Sequence, residues 1–158
     1  MDRKEKNNMF KATKEIYEAL IAAGLKAYAG EKNGYSEVEV NFPLSCSAPV
    51  QIRFISADDD NDVAVRVDLM RVEEDKAEAI LPVLNGFNIK YRYAKFTLNA
   101  ENDVFVEYDL PIKGDHVGEC AKEMVARLVK IIRQAHPELL RAVLAEAQQE
   151  KAPAGMLC

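Results

Sequence analysis

Ala77-Glu78-Ala79-Ile80-Leu81-Pro82-Val83-Leu84 spells a helix, and Asn85-Gly86-Phe87-Asn88 a joint. Tyr93-Ala94-Lys95-Phe96-Thr97-Leu98, Asn99-Ala100-Glu101-Asn102-Asp103 and Val104-Phe105-Val106-Glu107-Tyr108-Asp109-Leu110 then spell strand, turn and strand. Ala94, Phe96 and Leu98 alternate with Lys95 and Thr97, and Val104, Val106, Tyr108 and Leu110 alternate with Phe105, Glu107 and Asp109. An apolar period of two marks a half-buried antiparallel pair. Asn99 to Asp103 holds residues that tolerate left-handed backbone and bond their own main chain. Ala77, Ile80, Leu81, Leu84 and Phe87 share one helical face. Pro82 removes a helical hydrogen bond at a cost of roughly 3 kcal/mol, so a kinked helix is expected.

The chain on the N-terminal side repeats the strand pattern. Met9 to Ala23 is amphipathic, with Asn8 placed to cap its start and Gly24 to end it. Leu25 to Ala29 is a short extended piece, and Asn33-Gly34 is a strong hairpin signal. Tyr35–Phe42 turns Ser36, Val38, Val40 and Phe42 inward and Glu37, Glu39 and Asn41 outward. Val50–Ser56 turns Val50, Ile52 and Phe54 inward, and Val63–Met70 does so with Val63, Val65, Val67 and Leu69. One apolar face per strand implies helices on one side of the sheet only.

On the C-terminal side Asp115 is a plausible cap for a long helix from Val117 to Ala135. His136-Pro137 is expected to break it, with a further helix running to about Gln148. Residues 1–150 make one domain and 151–158 a C-terminal tail without periodicity, though with apolar Met156 and Leu157. The class is α+β: a helix–sheet sandwich in the order α-β-β-β-α-β-β-α(α), with an antiparallel sheet of five main strands.

The chain has 158 residues, 49% hydrophobic and 30% charged, the composition of an ordinary globular domain. A net charge of −5 argues against a nucleic-acid or anionic-membrane surface over the whole molecule. No signal-peptide core and no 18-residue apolar span is legible, and Cys46, Cys120 and Cys158 form no CxxC pair, so a cytoplasmic protein with reduced thiols is expected.

Motifs for chemistry are sparse. Asp58, Asp60 and Asp62 alternate like a calcium loop, but Val63 and Leu69 stand where that loop needs Gly and Glu. His116 and Cys120 lie four apart without a second ligand pair. His136 fits a helix-end residue better than a catalyst, and no triad, zinc-protease or phosphate-loop pattern is present. No catalytic residue, metal or cofactor is therefore assigned. The acid–base alternative rests on scattered carboxylates, Glu37, Glu39 and Glu107. Residues 89–96, Ile89-Lys90-Tyr91-Arg92-Tyr93-Ala94-Lys95-Phe96, interleave bases and aromatics as a single-stranded RNA clamp does. An amphipathic strand whose Lys95 pairs with Glu107 accounts for them more simply, so no nucleic acid is expected.

Leu84-Asn85-x-Phe87-Asn88, Tyr93-x-Lys95-Phe96-x-Leu98, Val104-x-Val106-Glu107-Tyr108-Asp109-Leu110-Pro111 and a closing His136-Pro137-Glu138-Leu139 together resemble the bacterial YbjN-like family of sensory transduction regulators. The resemblance runs from Ala77 to Leu140 and more loosely from Val38 to Leu69; Pro82 and Gly86 depart from it, since better helix formers are expected there. It implies a fold like that of type III secretion chaperones and a small cytosolic protein that binds other proteins, often as a dimer. It brings no catalytic residues. The residues expected to meet a partner are Ile80, Val83, Leu84 and Phe87 on the second helix, with Tyr93 and Phe105 on the hairpin. A homodimer through that helix or a sheet edge is expected, because an unpaired edge is a template for another chain.

Overall fold

A computed structural model describes residues 9–44, 48–57, 61–114 and 116–150, the last five without their side chains. The elements are α1 (Lys11–Ala22), β1 (Ala27–Lys32), β2 (Tyr35–Phe42), β3 (Val50–Ser56), β4 (Asp62–Arg71), α2 (Ala77–Lys90), β5 (Lys95–Leu98), β6 (Asp103–Pro111) and α3 (Val117–Glu150). The six strands form one sheet in the order β1-β2-β3-β4-β6-β5, antiparallel throughout. The α+β sandwich expected from the strand periodicity is thus present. Its sheet has one strand more than the five main ones read from the sequence, because the piece after Gly24 runs on to Lys32. Asn8, the tail from residue 151, Asp58, Asp60, Cys46, Cys158 and the cap residue Asp115 lie outside the described residues.

The turns follow local chemistry. Asn33 and Gly34 both hold positive φ, 37° and 88°, the geometry a two-residue hairpin demands. Asn99 Oδ1 accepts from the amides of Glu101 (3.0 Å) and Asp103 (2.8 Å), which closes the β5–β6 turn. One face of the sheet supplies the core: Val38, Val40, Ile52, Phe54, Val63, Val65, Val67, Phe96, Val104 and Val106 are all buried. They meet Ile16 and Leu20 of α1, Ile80, Leu84 and Phe87 of α2, and Leu128, Ile132 and Leu139 of α3. α1 is pinned to β2 through Ser36, whose hydroxyl lies 2.6 Å from that of Thr13 and accepts from the Phe10 amide at 3.2 Å.

Several local expectations yield to tertiary packing. The joint at Asn85 to Asn88 is helical, and α2 runs through Pro82 to Lys90, because Phe87 continues the buried stripe of Ile80 and Leu84. α3 does not break at His136-Pro137 but is one helix of 34 residues. Ala135, His136 and Leu139 are buried on both sides of Pro137, and that packing offsets the roughly 3 kcal/mol a helical proline costs. A bulge between Asp68 and Met70 interrupts the β4–β6 register, so Leu69 leaves the fully buried row. Glu37, expected outside, is only 2% exposed. It lies on the outer face of the sheet beneath the Lys32 ammonium, with which it pairs.

The two edges of the sheet differ. At β5 the Asn88 side chain turns back from α2, accepting from the Phe96 amide at 2.6 Å and donating to its carbonyl at 3.0 Å. Those are the backbone groups that face away from β6. At the other edge, β1 pairs only with β2 among the described residues.

Candidate functional site

The chain between α2 and β5 turns at Tyr93, whose φ of +70° is a conformation a bulky side chain rarely adopts. The ring is held by two neighbours. The Arg127 guanidinium of α3 lies 4.8 Å from its centroid, and Tyr108 meets it edge-on at 5.8 Å. Such contacts contribute about 0.5–1.5 kcal/mol each and offset part of the cost of the backbone. Arg127 is in turn anchored by Glu123 one turn back, its Nε donating at 2.9 Å; that carboxylate raises the guanidinium pKa. Tyr93 remains 51% exposed, an aromatic ring presented to solvent on a strained corner.

Two cavities flank Arg127. One, of about 170 Å³, lies among Tyr93, Tyr108, Leu110, Cys120, Glu123, Met124 and Arg127. The other, of about 310 Å³, lies in the seam between the end of α2 and the middle of α3. Lys90, Arg92, Arg127 and Lys130 line it with Tyr91, Ile131 and Gln134, and among the described residues no carboxylate does. Lys90 sits 5.2 Å over the Tyr91 ring. Tyr91 packs inward on Phe87 and Phe96, at 6.0 and 6.1 Å, and its buried hydroxyl has no hydrogen-bond partner among the described residues.

Of the residues expected to meet a partner, Ile80, Leu84 and Phe87 are core, 0%, 3% and 2% exposed. This corrects their assignment: their stripe is the one α2 buries against the sheet. Val83 and Phe105 are half-buried and Tyr93 is exposed, so these three remain at the surface. The apolar surplus of α2 falls on Leu81 and Ile89. Residues 89–96 do not form a single strand. Ile89 and Lys90 end α2, Tyr91 to Tyr93 bend, and β5 starts at Lys95, so the aromatics do not line one extended face.

The three scattered carboxylates do not converge. Glu37 and Glu39 share Lys32 on the β1–β2 side. Glu107, on β6, faces Arg66 at 3.7 Å and Lys95 at 3.8 Å, with β3 and β4 intervening in the sheet. In the sequence Arg127 and Lys130 are ordinary polar positions of a long helix and Asn88 stands only in a joint and a family motif; the one local clue is the basic and aromatic run at Lys90 to Tyr93.

Among the described residues no helix is long and apolar enough to cross a membrane. No curated protein matches the chain in sequence. The model of the YbjN family, described as "Putative bacterial sensory transduction regulator", matches residues 13–145, which takes in every strand and nearly all of the helices. That span exceeds the stretch whose motifs carry the resemblance, and with it the chain belongs to the YbjN family.

Proposed function

We propose that this protein is a non-enzymatic, cytoplasmic protein-binding regulator, a chaperone-like adaptor that works as a homodimer paired through β1. The contrast between its two sheet edges carries this reading. Asn88 closes the β5 edge, whereas among the described residues β1 has a partner on one side only. In a two-residue hairpin the residues flanking the turn, Lys32 and Tyr35, form the hydrogen-bonded pair, so the amides of Ala27, Ala29 and Glu31 point away from β2. Edges are usually blunted by charge or proline. Here charge stands at Lys26, Glu31 and Lys32, and the four residues between, Ala27-Tyr28-Ala29-Gly30, carry none. Tyr28 is 60% exposed beside that edge, an aromatic anchor of the kind interfaces favour. Two copies of β1 running antiparallel give the closed two-fold pair commonest among oligomers. That leaves the surface around Tyr93 for a client, with Val83 on the same helix-covered side and Phe105 as a separate contact on the bare face of the sheet.

Light scattering after gel filtration tests the pairing. The expected mass is about 35 kDa, twice the 17.7 kDa of one chain, returning to the single mass in Ala29→Pro. Proline there removes one outward amide from an edge strand that tolerates it. A mass that stays at 17.7 kDa as concentration rises sinks the dimer. For the client, a pull-down from native cytosol is compared with the same experiment on Tyr93→Asn; a protein captured equally by both does not use the corner.

A further inference from the structure

The seam between α2 and α3 gathers positive charge in a chain that has 26 acidic and 21 basic residues. We infer that this cleft is a binding site for a small phosphate-bearing molecule. Lys90, Arg92, Arg127 and Lys130 line one space of about 310 Å³. Arg127 is neutralised by Glu123. Among the described residues Lys90, Arg92 and Lys130 make no ion pair. Like charges held this close repel, and a dianion between them relieves the repulsion.

The donors suit phosphate. A guanidinium offers a planar fork to two oxygens, and an ammonium offers a point charge that adapts to the third. Tyr91 lines the cleft with its ring, while its hydroxyl points inward and is buried. Its ring and Ile131 give the remainder of the ligand an apolar wall. The volume lies at the lower end of small-molecule sites, which begin at about 300 Å³, and is short for an extended polymer.

Solvated helix cations are common, and Lys90 has a second reason to be where it is, since a cation in the last turn complements the helix dipole. Neither consideration accounts for three unpaired cations beside the paired Arg127 in one cleft with no carboxylate among its described lining residues. The site goes beyond the partner-binding reading and does not rest on it, because β5 and α2 lie at the edge of the sheet opposite β1.

Magnesium-free ATP and inorganic pyrophosphate are the probes, titrated calorimetrically into the full chain at low salt. Saturable binding with a Kd below about 1 mM is expected, weakening as salt rises. Arg92→Glu and Lys130→Glu are each expected to weaken it at least about tenfold, and Lys122→Glu, on α3 outside the cleft, to leave it within about twofold. Pyrophosphate binding as tightly as ATP assigns the site to phosphate alone; tighter ATP adds the wall of Tyr91 and Ile131. Amide shift changes on adding ATP to the unaltered protein are expected at residues 90–92 and 127–134, a readout that needs no variant. Absence of saturable binding, shift changes elsewhere, or equal weakening by Lys122→Glu overturns the assignment. So does a ten-nucleotide RNA or a polyglutamate peptide that binds more than tenfold tighter than ATP, which would make the cleft part of a polyanion track.

Discussion

Asn88 clasps Phe96 with both ends of its side-chain amide, so that the last turn of α2 serves as a substitute strand at the β5 edge. The amide satisfies one donor and one acceptor that would otherwise face solvent or another chain. Asn88→Ala is therefore expected to destabilise the fold by about 1–2 kcal/mol, the net worth of two hydrogen bonds. Hydrogen exchange should show the Phe96 amide losing roughly tenfold or more of its protection while Val106 is little changed. Unaltered exchange at Phe96 would refute the role of the clasp.

Gly118 lies where α3 crosses α1. A β-carbon there would stand 2.9 Å from the Ala19 Cβ and 2.9 Å from the Glu15 carbonyl oxygen. The second of these is backbone and yields only if the helices separate. Gly118→Ala is expected to cost about 1–3 kcal/mol despite the better helix propensity of alanine. Urea denaturation measures it; a variant as stable as the parent would show that the helices part freely.

His136 is buried on α3, and burial holds its imidazole below the ordinary 6.5. The unfolded chain therefore takes up a proton near 6.5 that the folded chain refuses. Stability is full above that value and falls as pH drops through it. His136 lines a cavity of about 360 Å³ between α3 and β4 together with Asp68 and Arg71. Asp68 acts with the opposite sign, since desolvation, helped by Asp103, raises its carboxyl pKa from 3.8, but its window lies lower. Melting temperature should fall between about pH 7.5 and 5.5, and His136→Leu should flatten that slope. An unchanged slope in the variant assigns the pH dependence to other groups.

Glu37 and Lys32 make an unequal pair, the carboxylate buried and the ammonium half in solvent. Losing the ammonium leaves a buried charge with one oxygen already unpartnered, whereas losing the carboxylate leaves a cation that water solvates. Lys32→Met should therefore lower the melting temperature more than Glu37→Gln, and the double variant should recover part of the loss. Additive effects of the two changes would show that the ion pair is not coupled.

What the sequence made legible was local. Val38, Val40, Ile52, Phe54, Val65 and Val67 announce their burial by alternation, and Asn33-Gly34 and Asn99 announce their turns by backbone chemistry. β1 was harder to see, because Ala27-Tyr28-Ala29-Gly30-Glu31-Lys32 has little alternation and owes its strand to the hairpin partner Tyr35–Phe42. Pro137 and Gly86 are helix breakers by local rule, overruled by contacts to residues far along the chain. The basic cleft joins Lys90 and Arg92 to Arg127 and Lys130, some 40 residues further on, and only the packing of α2 against α3 brings them together.

Arg127 belongs to both cavities and covers the ring that keeps the Tyr93 backbone in its unfavourable turn. One guanidinium cannot serve both neighbours fully. If both proposed ligands bind, a guest that drew it toward Lys130 would take cover from Tyr93 and let the corner relax, and a client that clamped Tyr93 would hold the guanidinium away from the guest. Thermodynamic reciprocity would then require that each ligand change the other's affinity by the same factor. The strained corner would thereby be a messenger between two occupants that need never touch.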